Sequence, residues 1–363
     1  REIGRLYSAI EITSKLAEDR PDLRQYIGQE LGVIAWLWAR TVRSPNPVFS
    51  HCDVPLISSY VLSTKPGREA YVEPMIDGDT YQFNIRMGEP PAVAKNKNGT
   101  KAGKKGGFYC LLSKTTPIDF PYIRAEGAAG RLGNRLLAIV VEGKNGRLYL
   151  PPSKSHEALA RQAAPDWKPE FETFGKCRVN IGLYGLTTWD KLFTDRQLVA
   201  LNAFCNASLK AVERSKREAV AAGLVDDGIG LDAGGTGATA YAQALGVYLA
   251  FAVSRMADYG STMATWRVKD SAMRSSMPKQ ALQMTWDFAE GSPFGSSSAG
   301  FWECIQVVSK VISTSLGFGR GRAFQANATR SSASPEENLY VISTDPPYFD
   351  NISYADLSDF FYV

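Results

Sequence analysis

Between Ile27 and Arg43 the apolar positions Ile27, Leu31, Ile34, Ala35, Leu37 and Trp38 recur at helical spacing. The spacing predicts a helix, with Asp22 capping a short turn after Pro21 and with Pro45 and Pro47 as terminators. The pattern then changes. Val54 to Leu62, Glu69 to Pro74, Thr80 to Met87 and Leu136 to Val141 are short runs of β type, divided by turn signals such as Lys65-Pro66-Gly67 and Asp77-Gly78-Asp79. Residues 151–193, with Pro151-Pro152 and Pro165 to Pro169, read as irregular. Thr194 or Asp195 then caps a long helix reaching about Ala222, with Leu198, Leu201, Phe204, Leu209 and Val212 on its apolar side and Gly223 suited to its end. Two more helices are predicted from Ala238 to about Asp258 and from Ala299 to about Ser313. A Gly/Arg/Ser-rich loop over 317–336 leads into an apolar strand, Leu339 to Ser343.

This pattern divides the chain into three regions: a helical part, 1–43; a β-rich insertion, 44–150; and a helical region, 151–363, leading to a strand over 339–344 and the tetrapeptide 345–348. The insertion carries a basic, glycine-rich loop over 95–107, in which Lys95, Lys97, Lys101, Lys104 and Lys105 fall close together. Such a loop can track a phosphate backbone or stand as a solvated loop. Arg320 and Arg322, just before the predicted strand, and the tract from Arg267 to Lys279 are further nucleic-acid candidates. Trp266 and Trp286 are expected in the core, and His156 at the surface.

Composition adds bounds. The 363 residues, 44% hydrophobic and 21% charged, describe a globular chain able to bury a core, and a net charge of +4 permits nucleic-acid binding without arguing for it. Five scattered cysteines with no C-x-x-C pair point to a reducing cytoplasm. The most apolar stretches, Leu31 to Trp38 and Ala244 to Ala252, are too short to span a bilayer. The chain begins without methionine and stops within an amphipathic pattern, and so reads as a segment of a longer protein.

Asp345-Pro346-Pro347-Tyr348 carries the clearest chemistry. A strand that ends in this tetrapeptide lies where open α/β sheets bind ligands. An exocyclic amino group of a base is a poor nucleophile, because its lone pair is delocalised into the ring. The Asp345 carboxylate can accept one N–H and the Pro346 carbonyl the other, which aims the lone pair at an electrophilic methyl by position and electrostatics. Two prolines stiffen the turn, and Tyr348 offers a face for an extruded base.

The stretch from Ser343 through Val363 resembles the catalytic-motif region of bacterial and archaeal adenine-specific DNA methylases that carry an N-terminal domain of unknown function and, often, a zinc ribbon. Some of these occur in anti-phage defence loci. Gly28 to Val42, Tyr122 to Arg131, Gly234 to Tyr241 and Trp286 to Glu290 resemble the same family, in order along the chain. The resemblance implies an α/β fold, a partial Rossmann-like S-adenosylmethionine-dependent methyltransferase with helical elements and a β-rich insertion, which as a segment looks more α+β. It implies S-adenosylmethionine as cofactor, DNA as partner, and a place in restriction–modification or defence beside other subunits. Asp345, Pro346, Pro347 and Tyr348 become the catalytic residues.

In that family the glycine motif for the cofactor lies upstream of the matched region. Gly234, Gly235 and Gly237 come nearest here. They read as a cluster opening a helix, whose N–H groups otherwise suit a phosphate or carboxylate. The segment alone is therefore expected to bind cofactor weakly and to be inactive. Relatives carry cysteine where this chain has Ser44; with only His51, Cys52 and Cys110 remaining, zinc is not expected. Cytosine-N4 methylation is the alternative chemistry, although Ser is usual there in place of the first Asp. Glutamine methyltransferases use Asn-Pro-Pro-Tyr, against which Asp345 argues. A non-catalytic DNA-binding or scaffold subunit of a defence complex is the alternative of another kind.

Overall fold

The computed structural model describes residues 3–91, 99–103, 106–278, 281–315, 327, 343–346 and 352–363. Along the chain the main elements are β1 (Val33–Arg43), β2 (Asp53–Pro55), β3 (Val61–Ser63), β4 (Ala70–Asp77), β5 (Thr80–Met87), α1 (Phe120–Ala128), β6 (Gly133–Gly143) and β7 (Gly146–Leu150). After these come α2 (Lys154–Arg161), α3 (Gly175–Ile181), α4 (Asp195–Ala221), α5 (Ala238–Tyr259), β8 (Asp287–Gly291), α6 (Phe301–Thr314) and α7 (Tyr354–Tyr362).

The expected helix before Arg43 is a strand. β1 is buried from Val33 to Val42 and runs through the middle of a five-stranded sheet of order β7-β6-β1-β8, with β2 also paired to β1. Its odd residues Ala35, Leu37 and Ala39 pack into one core with Leu137, Val140 and Ala289. Its even residues Trp36 and Trp38 pack into another with Leu136, Ile139 and Phe288. A strand covered on both faces has no polar side, so its apolar run carries no period-two signal and matches a helical template by default. Every strand pairing among the described residues is antiparallel. The arrangement is mixed α/β with a curled sheet.

The β-rich character of 44–150 holds, but its boundaries do not delimit an insertion. β6 and β7 belong to the sheet built on β1, with Trp38 opposite both Leu136 and Phe288. A second sheet, β3-β4-β5, lays Ala70, Val72, Phe83 and Ile85 on the core formed by the odd face of β1. Residues 151–193 are less irregular than their prolines suggest, since α2, α3 and two 3-10 turns lie there.

The three long helices form where the periodicity predicts them. Thr194 and Gln197 make a reciprocal capping box at the start of α4: the Thr194 hydroxyl accepts from Gln197 N at 3.1 Å, and the Gln197 side chain accepts from Thr194 N at 2.8 Å. Gly223, at φ +94°, ends α4 in the left-handed region. The expected strand over 339–344 lies outside the described residues up to 342; Ser343 and Thr344 are exposed and irregular. No helix among the described residues is long and apolar enough to cross a membrane.

Candidate functional site

Asp345 and Pro346 are exposed, while Pro347 and Tyr348 lie outside the described residues. The helix α7, next along the chain, is firmly held. Asp356 of α7 accepts from Lys176 N at 2.9 Å, and the Cys177 thiol donates to the Asp356 carbonyl at 3.0 Å. Phe360 is buried, stacked on Phe193 at 5.6 Å and set edge-on to Trp189 at 6.1 Å. Gly175, at φ +52°, admits this approach: a Cβ there would collide with the Asp356 carboxylate.

Gly234, Gly235 and Gly237 precede α5 as the sequence suggests, but the donors there are taken. Asp226 accepts from the backbone N–H and the hydroxyl of Thr239, at 3.1 and 2.6 Å. Asp227 accepts from Ile229 N and Thr236 N. The bond from the Thr239 hydroxyl, and after it the Lys216 ammonium 2.9 Å away, hold the Asp226 carboxyl well below the usual range. A Cβ at Gly235 or Gly237 would strike the chain's own loop, at the Ile229 carbonyl or Asp227. The glycines close a turn around two carboxylates, which already occupy the N–H groups of Ile229, Thr236 and Thr239. They do not fit the carboxylate of a cofactor.

Of the five lysines in the 95–107 loop, Lys101 alone is described. It is half-buried and lines a cavity of about 350 Å³ beside Asp287 and Trp266. Lys95, Lys97, Lys104, Lys105, Arg320 and Arg322 lie outside the described residues. Arg267 pairs with Asp270 at 3.4 Å. Trp266 and Trp286, expected in the core, are half-buried and pack against its edge: Trp266 donates to the Leu62 carbonyl at 2.9 Å, and Trp286 packs edge-on against Phe108 and Tyr184 at 5.3 and 5.0 Å.

The former zinc candidates split into two neighbouring groups. His51 Nε2 meets the Asp79 carboxylate at 2.9 Å, the Cys52 thiol donates to the Asp79 carbonyl at 3.1 Å, and the three ligand-type atoms lie within 4.8 Å of one another. Ser44 and Cys110 are buried together, Oγ to Sγ 3.2 Å. The first group offers three protein ligands at an exposed edge, one short of the set a structural zinc takes.

Sequence reasoning missed the buried polar system on the even face of β1. Arg196 and Glu290 are both fully buried and joined by two bonds, Nε–Oε1 at 2.9 Å and Nη2–Oε2 at 2.7 Å. Trp38 Nε1 donates to Glu290 Oε2 at 2.8 Å, and the Thr194 hydroxyl donates to Oε1 at 3.2 Å. The Arg196 guanidinium lies 4.1 Å from the centre of the Trp36 ring and donates to the Leu6 carbonyl. Burial works against its charge, and the Glu290 carboxylate more than offsets that. His156, expected at the surface, is buried: its Nδ1 accepts from Trp36 Nε1 at 3.0 Å, and burial, then Arg196, push its pKa down. A ring that accepts a hydrogen bond from the indole N–H needs no solvent there, which composition does not reveal.

Above this pair opens a cavity of about 470 Å³, walled by Trp38, Arg40, Gly127, Thr194 and Glu290, with Lys191 at its margin. Three of the stretches that carry the resemblance, those holding Arg40, Gly127 and Glu290, meet there. On the other face of β8, Asp287 accepts from Ser58 N at 2.6 Å, and burial pushes its carboxyl up to about 6 against that bond and Lys101. Trp36, Trp38 and Arg40, at spacing two, share one face, which is visible only once the segment is known to be a strand. Comparison with known protein families, with curated proteins and with solved structures gives no match.

Proposed function

We propose that this chain carries the target-amino half of an S-adenosylmethionine-dependent DNA adenine-N6 methyltransferase. The observation that carries the reading is the tetrapeptide Asp345-Pro346-Pro347-Tyr348, with Asp345 and Pro346 exposed and the helix after it fastened to the body through Asp356 and Phe360. In this reading Asp345 and the Pro346 carbonyl accept the two N–H groups of the target amine and orient its lone pair. S-adenosylmethionine supplies the methyl group when bound. In this reading the donor site is not built by Gly234, Gly235 and Gly237. DNA is the substrate, with further subunits of a restriction–modification or defence system as partners, in the cytoplasm.

The test uses the intact protein with DNA and isotopically labelled cofactor. N6-methyladenine is the expected product. Asp345→Ala abolishes methylation and leaves DNA binding in place. N4-methylcytosine as product shifts the assignment to the alternative base. DNA binding with no methylation of any base favours the scaffold reading.

A further inference from the structure

Arg40 is 4% exposed, and among the described residues no carboxylate pairs with it. Its Nε donates to the Thr285 carbonyl at 2.8 Å and its Nη2 to the Thr262 hydroxyl at 3.0 Å. Those two bonds use two of a guanidinium's five N–H groups. The Phe288 ring centre lies 5.5 Å away, a weak partner for a full charge. Burial alone moves its pKa, down to about 10, with no neighbouring charge opposing it. A buried cation without a counter-charge is costly, so this one faces a site where an anion completes it.

The cavity around it has the matching charge. Its two carboxylates are already committed, Glu290 to Arg196 at 2.7 Å and Asp195 to Lys168 at 2.7 Å. Of its cations, Arg161 is paired with Glu157 at 3.2 Å. Lys191 is exposed and reaches only the Thr187 hydroxyl, at 3.3 Å, among the described residues. One buried arginine and one rim lysine therefore remain uncompensated across one cavity. The positive end of the 27-residue helix α4 lies in its wall at Thr194. A volume of about 470 Å³ suits a nucleotide-sized group. A carboxylate needs one charged partner, whereas a phosphate, with more charge and more acceptor oxygens, uses an arginine and a lysine together.

We propose that the cavity between β1, α1 and the start of α4 is a phosphate-binding site, with Arg40 as its buried anchor and Lys191 as its rim contact. The site goes beyond the methyltransferase reading and does not depend on it. The phosphate belongs to a free phosphorylated compound or to a nucleic-acid strand, and competition tells these apart.

The experiment measures binding of inorganic phosphate to the full chain by calorimetry and by thermal shift, at constant ionic strength against chloride. Saturable binding is expected, weakened at least tenfold in Arg40→Met and several-fold in Lys191→Ala, with acetate much weaker than phosphate. Should Arg40→Met fail to fold, Lys191→Ala decides alone. Phosphate acting no differently from chloride, acetate binding equally well, or the variant that folds binding like the parent each overturns the proposal. Displacement of phosphate by a 12-nucleotide single strand assigns the site to a nucleic-acid backbone. Displacement by adenosine monophosphate but not by the strand assigns it to a small phosphorylated ligand. Either pattern upholds the site, and neither bears on whether Asp345 is needed for methylation.

Discussion

Arg196 and Arg40 are two buried guanidiniums on one side of one sheet, and they are treated oppositely. Arg196 is held by Glu290 through two bonds, roofed by Trp36 and Tyr7, and shut away from solvent. Arg40 has two neutral acceptors and a cavity. The first is a finished structural pair; the second is left half-made. The contrast separates charges a fold has neutralised for itself from charges it keeps for something else. β8 repeats it with acids: Glu290 is paired on one face, while Asp287 on the other is held by Ser58 and has a raised pKa.

Breaking the finished pair has the largest effect. Glu290→Gln leaves Arg196 buried without a counter-charge and is expected to cost about 3–5 kcal/mol in urea denaturation. A loss below about 1 kcal/mol would erase the distinction between the two arginines.

The acids sharpen it next. The Asp287 carboxyl sits at about 6 in the folded chain, against about 4 when unfolded. Between those values the native state keeps a proton that the unfolded state has released. Stability from this group is therefore complete below about pH 4, falls as pH rises, and is lost above about pH 6. Asp287→Asn should flatten that window and be more stable than the parent at pH 7 by about 2 kcal/mol, read from denaturation midpoints across pH.

Thr194→Ala removes the cap of α4 and one donor to Glu290, and a loss of about 1 kcal/mol is expected in the same measurement. Arg40→Met should have the smallest effect. In phosphate-free buffer its stability stays within about 1 kcal/mol of the parent, because a costly charge leaves together with two hydrogen bonds.

The same contrast marks what the sequence could disclose. Local chemistry was legible: Thr194 or Asp195 marked the start of α4, Gly223 its end, and the 3.6-residue period located α5 and α6. Relations across the sheet were not. β1 mimicked a helix because both its faces are covered, and Arg196 and Glu290 stand 94 residues apart with nothing local to join them. The glycines before α5 read as a cluster opening a helix, with an anion site as the other reading; Asp226 and Asp227, a few residues earlier, fill that place. Arg40 drew no reading of its own from the sequence; only its place in space, with no acid paired to it among the described residues, gives it meaning.

Gly175 lies 181 positions before Asp356 along the chain, and nothing about it in sequence suggests a tie to the tetrapeptide. Yet it works as a keyhole, wide enough for the Asp356 carboxylate only while it has no side chain. In a survey of random variants, a change at position 175 would be scored as a distant loop mutation. It would nonetheless share its phenotype with changes in α7, and genetic suppressors of one should map to the other.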